Sequence, residues 1–301
     1  METASRRRRR VLPWITVAAL LGGCGSAGNT PAVDPLDGLR QQAGGALTRY
    51  DQAVRAAGGA LFVPVGELTR QLGDWEPANG SDKETLSAGR VEAATALPAA
   101  PERAGTIVWA NGTRQDVPLI SADGALAQLR AAGTGDCSGC APLKITGARL
   151  TTMTVPTTRG PATTPAWEYT LDGTTVRLAR VAVNPSAIVR VTPPPWDADH
   201  PHEGLAIESA TTSAASSELT VTFTGAPEPS SKPCGVDYSA EAAESDLAVV
   251  VIVIEYRHAK DEACPDIGAP RSATLKLSRP LGERAVLEVT QGLPVELTIT
   301  G

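Results

Sequence analysis

Near the start of the chain, apolar residues recur at steps of three and four, which is the period of an amphipathic α-helix. Asp34 or Asp37 stands at its predicted start, and Gly58-Gly59 marks its predicted end. A second helix is predicted, which Ser121 and Asp123 can cap and which ends at Gly133. The apolar positions of the first helix are Leu36, Leu39, Ala43, Leu47, Tyr50 and Val54.

Alternation of apolar and polar residues along much of the chain predicts β-strands. Asn111-Gly112 separates the apolar runs 107–109 and 117–119 and predicts a hairpin between them. The nearly continuous β-branched run at 247–254 predicts a strand in the middle of a sheet, buried on both faces. Residues 61–65 are predicted to form a strand, 66–75 a short helix or turn, and 77–83 a loop. The remaining predicted strands are 89–96, 106–110, 143–155, 166–171, 174–183, 205–212, 218–224, 247–257, 272–278, 285–290 and 295–300.

These elements predict a mainly β protein with two domains. Residues 34–191 are expected to form an α+β domain, an antiparallel sheet with two helices. Three consecutive prolines cannot continue a central strand, so residues 192–204 are predicted to be a proline-rich linker. Short, regularly spaced strands in residues 205–301 predict a small β-sandwich-like domain.

The N-terminal segment has the composition of an export signal. Arg6 to Arg10 are followed by a short apolar run at 11–21 and then by Leu21-Gly22-Gly23-Cys24. Alternatives are a plain secretory signal and a membrane-buried helix, the latter disfavoured by Pro13 and by the short apolar length. The arginines are compatible with the general secretory route and with the twin-arginine route.

The Leu-Gly-Gly-Cys sequence resembles the lipobox of bacterial lipoproteins. The resemblance implies that residues 1–23 are a signal peptide and that Cys24 becomes the first mature residue, carrying thioether-linked diacylglycerol. Residues 24–33 would then be a flexible tether, and the protein would be lipid-anchored on the extracytoplasmic face of the cell membrane. From about residue 105 onward the chain also resembles actinobacterial cell-surface lipoproteins of uncharacterised function, and this resemblance implies no particular activity. The segments that carry it are 164–169 (TPAWEY), 233–238 (PCGVDY) and 278–282 (SRPLG).

The charge of the chain argues against nucleic acid as a partner. The formal net charge is −6, from 27 basic and 33 acidic side chains. Removal of residues 1–23 takes away five arginines and one glutamate, which leaves 22 basic and 32 acidic side chains. Binding to phosphates requires a basic patch, and none is present in the sequence after residue 23. Polybasic docking onto anionic lipid is disfavoured for the same reason, so the acyl group is the expected membrane contact.

Besides Cys24, the chain has four cysteines, an even number that suits disulfides in an exported protein. Three pairings are possible, and sequence proximity favours Cys137 with Cys140 and Cys234 with Cys264. The Cys-x-x-Cys spacing also occurs in thiol-disulfide oxidoreductases and in half of a zinc site. The pair follows a predicted helix, where the helix dipole does not activate a thiol, and no second such pair exists. A structural disulfide is therefore favoured.

Asp199, His200 and His202 lie in an acidic and histidine-rich stretch that could offer ligands to zinc or calcium. The stretch lacks the spacing of a calcium loop, and Pro201 constrains the two histidines. A solvated linker is favoured over a metal site, and no cofactor is expected.

The sequence contains none of the nucleophile or metalloprotease motifs Gly-x-Ser-x-Gly, Ser-x-x-Lys and His-Glu-x-x-His. His258 is expected at the end of a hairpin. Trp75, Trp109 and Trp167 could stack on sugars, although core packing is favoured for each. The favoured function is a non-catalytic module that binds an envelope protein or a wall component. The alternatives are a secreted cell-wall hydrolase that uses paired carboxylates and a solute-binding lipoprotein.

Overall fold

The computed structural model describes residues 35–76, 80–198 and 203–300. The predicted signal peptide, the tether and Cys24 lie outside these residues. Fourteen strands and three α-helices occur in the described part, and the prediction of a mainly β fold is confirmed. None of the described helices is both long and apolar enough to cross a membrane. The helices are Pro35–Ala56 (α1), Gly80–Ser87 (α2) and Ala122–Ala131 (α3).

The first half of the described chain forms a seven-stranded, mainly antiparallel sheet. Its order is β1-β7-β6-β3-β4, and β5 pairs with the opposite edge of β6 and with the parallel β2. The hairpin predicted at Asn111-Gly112 is formed by β3 and β4. The strands are Thr69–Leu72 (β1), Val91–Ala93 (β2), Gly105–Trp109 (β3), Arg114–Val117 (β4), Leu143–Val155 (β5), Ala162–Leu171 (β6) and Arg177–Val181 (β7).

Helix α3 covers one face of this sheet. Its Ser121 cap accepts a hydrogen bond from the backbone N–H of Gly124, as the sequence predicted. Buried side chains of the helix, including Leu126, pack against Trp167 and Tyr169 of β6. Both aromatic residues also donate hydrogen bonds to backbone carbonyls at the start of the helix. Apolar burial and these two bonds together hold α3 on the sheet.

The second half forms two sheets that face each other, in agreement with the predicted sandwich. One sheet has the order β10-β11-β13 and the other β12-β9-β8-β14. Phe223, Val251 and Leu275 contribute to the core between them. Two of the pairings, β11 with β13 and β8 with β14, are parallel. The strands are Ser209–Ser213 (β8), Glu218–Gly225 (β9), Val236–Glu244 (β10), Ala248–Arg257 (β11), Ala269–Lys276 (β12), Ala285–Glu288 (β13) and Glu296–Thr300 (β14).

Strand β11 is buried on both faces, which confirms the prediction made from its β-branched run. One face joins the sandwich core, and the other is covered by α1. Ala43, Ala46 and Tyr50 of α1 belong to the same core as Val250 and Ile252 of the strand. Helix α1 therefore packs on a sheet of the second half of the chain, although the sequence predicts it as part of the α+β domain at residues 34–191. The predicted domain boundaries stay predictions.

Several local predictions were wrong. The segment 66–75 contains β1 instead of a helix or turn, because it pairs with four residues of β7. The segment 77–83, expected to be a loop, overlaps the start of α2, so the described residues hold three helices where two were predicted. Residues 61–65 form a single bridge at Pro64 instead of a strand. Strand β10 was not predicted at all.

Candidate functional site

A cleft of about 790 Å³ opens beside β7 and β1. It is bordered by the segment 63–69, by the C-terminal ends of α2 and α3, and by the segment 188–193. Leu293 and Pro294, from the turn after β13, complete the border. Residues from both halves of the described chain therefore line one cavity.

Arg180 of β7 lines this cleft and is 6% exposed. It shares its strand face with Leu178, so its side chain projects towards the α3 side of the sheet. Its Nη1 donates to the hydroxyl of Thr69, the cross-strand neighbour, at 2.6 Å. Its Nη2 donates to the amide oxygen of Gln128 on α3 at 3.5 Å, at the long limit of a hydrogen bond. The guanidinium is thus fixed by two uncharged partners.

The positive charge of Arg180 has no described counter-ion. None of the ion pairs among the described residues includes it. Its Nε is buried and has no hydrogen-bond partner. Burial lowers the pKa of Arg180 below the ordinary arginine value, and the positive charge of Arg190 lowers it further. Tyr169 and Glu67 act in the opposite direction, and both effects are smaller. A buried cation in this state is electrostatically unfavourable.

The rim of the cleft adds more positive than negative charge. Arg190 and Lys83 are exposed and line the opening. Among the described lining residues, Glu67 is the one carboxylate, and there is neither a histidine nor a cysteine. The cleft therefore carries three cationic side chains against one anionic side chain.

Backbone contacts fix the wall formed by α2 and α3. The Thr134 N–H donates to the Ser87 carbonyl at 3.0 Å, and Arg130 Nε donates to the Val91 carbonyl at 2.7 Å. The two chain segments meet at Gly133, where an added Cβ would lie 2.5 Å from the nitrogen of Gly89. This close approach leaves no room for a side chain, so the two segments pack directly against each other and form a continuous wall.

The opposite wall is tied to the sheet in the same way. The Val65 N–H donates to the Pro156 carbonyl at 2.9 Å, and the Val181 N–H donates to the Leu68 carbonyl at 3.0 Å. The Val189 N–H reaches the Phe62 carbonyl at 3.0 Å. Each of these bonds joins a lining segment to a neighbouring strand or loop, which gives the cleft a defined shape.

The structure pairs Cys137 with Cys140 and Cys234 with Cys264, the pairing favoured from sequence proximity. The Cα–Cα separations are 5.4 and 5.5 Å. The second pair lies beside Glu262, and these three residues have the donor atoms of a metal site. Both sulfurs are bonded to each other, however, and Glu262 accepts a hydrogen bond from the Cys234 N–H. The cluster is therefore explained as a disulfide with its supporting carboxylate.

The other candidate residues lie away from the cleft or outside the described residues. Asp199, His200 and His202 belong to the latter group. His258 is exposed near the end of β11, and its Nδ1–H donates to the Ser230 carbonyl at 2.9 Å.

Two of the three candidate tryptophans are part of the core, and the third is half-buried against it. Trp109 and Trp167 are 2% and 3% exposed, which excludes stacking on a sugar in this conformation. Trp75 packs against the core under α3.

Arg180 was missed in the sequence, although a signal for it exists. Val176, Leu178 and Ala182 stand at two-residue steps around it and are all buried. Arg180 occupies the third of these four inward positions, so strand periodicity alone places a charge in the interior. A charged residue at such a position is a marker of function.

No family model, no curated protein and no solved structure matches this chain.

Proposed function

We propose that the chain is a lipid-anchored protein of the extracytoplasmic face of the cell membrane that works as a non-catalytic binding module. The anchor rests on the order of basic, apolar and small residues before Cys24 and on the resemblance of this segment to a lipobox. The two disulfides among the described residues suit an oxidising compartment outside the cytoplasm. Its partners are the membrane, through the lipid, and a component of the envelope or wall.

The observation that carries the binding function is the preformed cleft around Arg180. Its volume of about 790 Å³ falls in the range of small-molecule sites. A concave site of this kind favours a ligand of limited size over the flat face of a protein partner. A small wall component and a transported solute both meet this description.

The chemistry of the cleft does not favour the hydrolase alternative. Glycoside hydrolysis by paired carboxylates needs two acids that flank the scissile bond. Glu67 is the one carboxylate among the described lining residues, and no imidazole is present there to activate a hydroxyl. A binding role requires neither group.

The binding function is tested by identifying what the full chain retains when it is purified from native envelopes. Ala132 lines the cleft at the end of α3, and its exposed neighbour Ala131 does not. Bound material is released from the wild type, from Ala132→Trp and from the control Ala131→Trp, and is quantified by mass spectrometry. We expect a near-stoichiometric ligand in the wild type and the control, and a strong loss in Ala132→Trp.

Equal retention by all three proteins would contradict binding in the cleft, and steady release of cleaved wall fragments would contradict a non-catalytic role. The anchor is tested separately with Cys24→Ala. This change should move the protein from the membrane fraction to the medium or block its processing. A variant that stays processed and membrane-bound would refute the lipid attachment.

A further inference from the structure

We propose that the cleft around Arg180 binds an organic oxyanion, a carboxylate or phosphate attached to an apolar body. The proposal rests on the binding function proposed above and adds the chemical class of the ligand. The charged group would bind Arg180 and Arg190, and the apolar body would lie along the apolar lining of the cleft.

Arg180 has hydrogen-bond donors that the protein does not use. A guanidinium carries five N–H groups, and two of them are engaged, with Thr69 and Gln128. Each Nη group therefore keeps one hydrogen, and the weak 3.5 Å bond to Gln128 is readily exchanged for a stronger acceptor. The planar arrangement of these donors matches the two oxygens of a carboxylate or phosphate.

The other three charged side chains that are buried as deeply among the described residues are satisfied by the protein itself, although the half-buried Arg49 and Arg90 each also have an Nε without a hydrogen-bond partner. Arg284 pairs with Glu244 and also donates to backbone carbonyls. Glu168 forms ion pairs with two arginines, and Glu288 accepts hydrogen bonds from a turn of backbone N–H groups. The hydrogen bonds of Arg180 go to uncharged groups, so the described residues supply no counter-charge for its buried guanidinium.

An oxyanion would supply the missing counter-charge. Arg190 lines the same cleft, and its positive charge lowers the pKa of Arg180. An anion bound between two arginines converts this repulsion into two attractive interactions. Lys83 at the rim attracts the same ligand, whereas Glu67 is the one described lining group that repels it.

The lining also requires an apolar part in the ligand. Half-buried apolar side chains face the cavity from each of its borders, and their remaining surface can be covered by an aliphatic or aromatic body. An inorganic anion alone would leave this surface in contact with water. The side chains are Val65, Leu68, Leu86, Val191 and Leu293.

The test is a calorimetric titration of the purified full chain with five small probes. Hexanoate and hexyl phosphate carry both features, hexan-1-ol carries only the apolar body, and acetate and inorganic phosphate carry only the charge. We expect hexanoate or hexyl phosphate to bind roughly tenfold or more tightly than the other three, since charged hydrogen bonds contribute that much in a partly buried site. Comparison of the two amphiphilic anions distinguishes a carboxylate ligand from a phosphate ligand, and either preference supports the proposal.

Variants assign the effect to Arg180. Arg180→Met should weaken binding of the preferred anion by roughly tenfold or more and leave hexan-1-ol unchanged. Arg180→Lys should give an intermediate loss because it keeps the charge without the planar fork. Arg190→Gln, at an exposed position, should weaken the anion several-fold even if the variants at the buried site fail to fold. Arg114→Met, at an exposed arginine of β4 away from the cleft, serves as the matched control and should bind as the wild type does.

The proposal is overturned if hexan-1-ol binds as tightly as the anions, or if no probe binds. It is also overturned if the Arg114 variant loses as much affinity as the variants of Arg180 and Arg190. In these cases a ligand recovered from native envelopes that depends on Ala132 would still support the binding function. The two proposals can therefore fail separately.

Discussion

The disulfide between Cys234 and Cys264 is expected to stabilise the protein considerably more than the one between Cys137 and Cys140. The first pair is separated by 30 residues and the second by 3. In the chain-entropy model, closing the longer loop contributes about 3.7 kcal/mol and closing the shorter loop about 2 kcal/mol. The double variant Cys234→Ser/Cys264→Ser should therefore lose about 1.5–2 kcal/mol more than Cys137→Ser/Cys140→Ser.

The structure indicates that serine removes little besides the covalent link. Cys264 is exposed and Cys234 is only half-buried, so the loss of packing is small. Serine at position 234 keeps its backbone N–H, which donates to Glu262 at 2.7 Å. Strands β10 and β11, which lie between the two cysteines, keep their own nine-residue pairing.

The free energy of unfolding is measured by urea denaturation of the wild type and both double variants under oxidising conditions. For a protein of this size, the longer disulfide should account for roughly 10 °C in melting temperature. Equal losses in the two double variants would refute the dependence on loop length. An unchanged urea midpoint in Cys234→Ser/Cys264→Ser would show that the disulfide between these two residues does not constrain the unfolded chain.

Three further predictions concern local contacts. Burial opposes ionisation of Glu244, but hydrogen bonds from Arg284 and a neighbouring serine lower its pKa below the ordinary 4.5. Its contribution to stability is thus present above about pH 4.5 and is lost as the pH falls through the lower folded pKa, so Glu244→Gln should flatten the acid branch of a stability–pH profile. Ser121→Ala should cost about 1 kcal/mol in urea denaturation through loss of the helix cap, and Ser121→Asp should restore it. Gly89→Ala should cost about 2 kcal/mol or more in the same assay, because φ is +68° and the new Cβ would lie 2.5 Å from a carbonyl oxygen of α3. Gly58→Ala, with φ +65° and open space, should cost only about 1 kcal/mol.

Each expectation has a distinct contrary result. A constant difference between the wild type and Glu244→Gln from neutral to acid pH would show that ionisation of this carboxylate is not linked to folding. Failure of aspartate to restore the stability lost in Ser121→Ala would mean that the hydroxyl acts other than as a cap. Equal losses of stability in Gly89→Ala and Gly58→Ala would show that the steric clash at position 89 contributes nothing and that backbone strain alone accounts for the loss.

Elements whose own residues determine their environment were predictable from the sequence. The valine and isoleucine run of β11 indicated burial on both faces, and the structure places a sheet on one side and a helix on the other. The apolar stripe of α1 likewise showed that one face is covered. It could not show which surface covers it, because amphipathic periodicity carries no information about the partner.

Elements that depend on distant partners were missed. Strand β10 has the sequence VDYSAEAAE, and alanine and glutamate are poor strand formers. It becomes a strand because nine of its residues pair with β11, while Tyr238, Ala240 and Ala242 pack against the sandwich core. The segments that line the cleft are spread from residue 63 to residue 294. No local sequence pattern could therefore predict that Arg180, Arg190 and Leu293 line the same cavity.

The distribution of the cleft along the chain also determines when a ligand can bind during biogenesis. Its borders begin at residue 63 and end with the turn at Leu293, which follows β13. A growing chain lacks this last border until residues 293 and 294 have been synthesised, and the long-range pairings that build the site are slow to form. Occupancy would then report on the integrity of nearly the whole fold. A bound ligand would selectively protect fully folded molecules from proteolysis, because it binds only the native state.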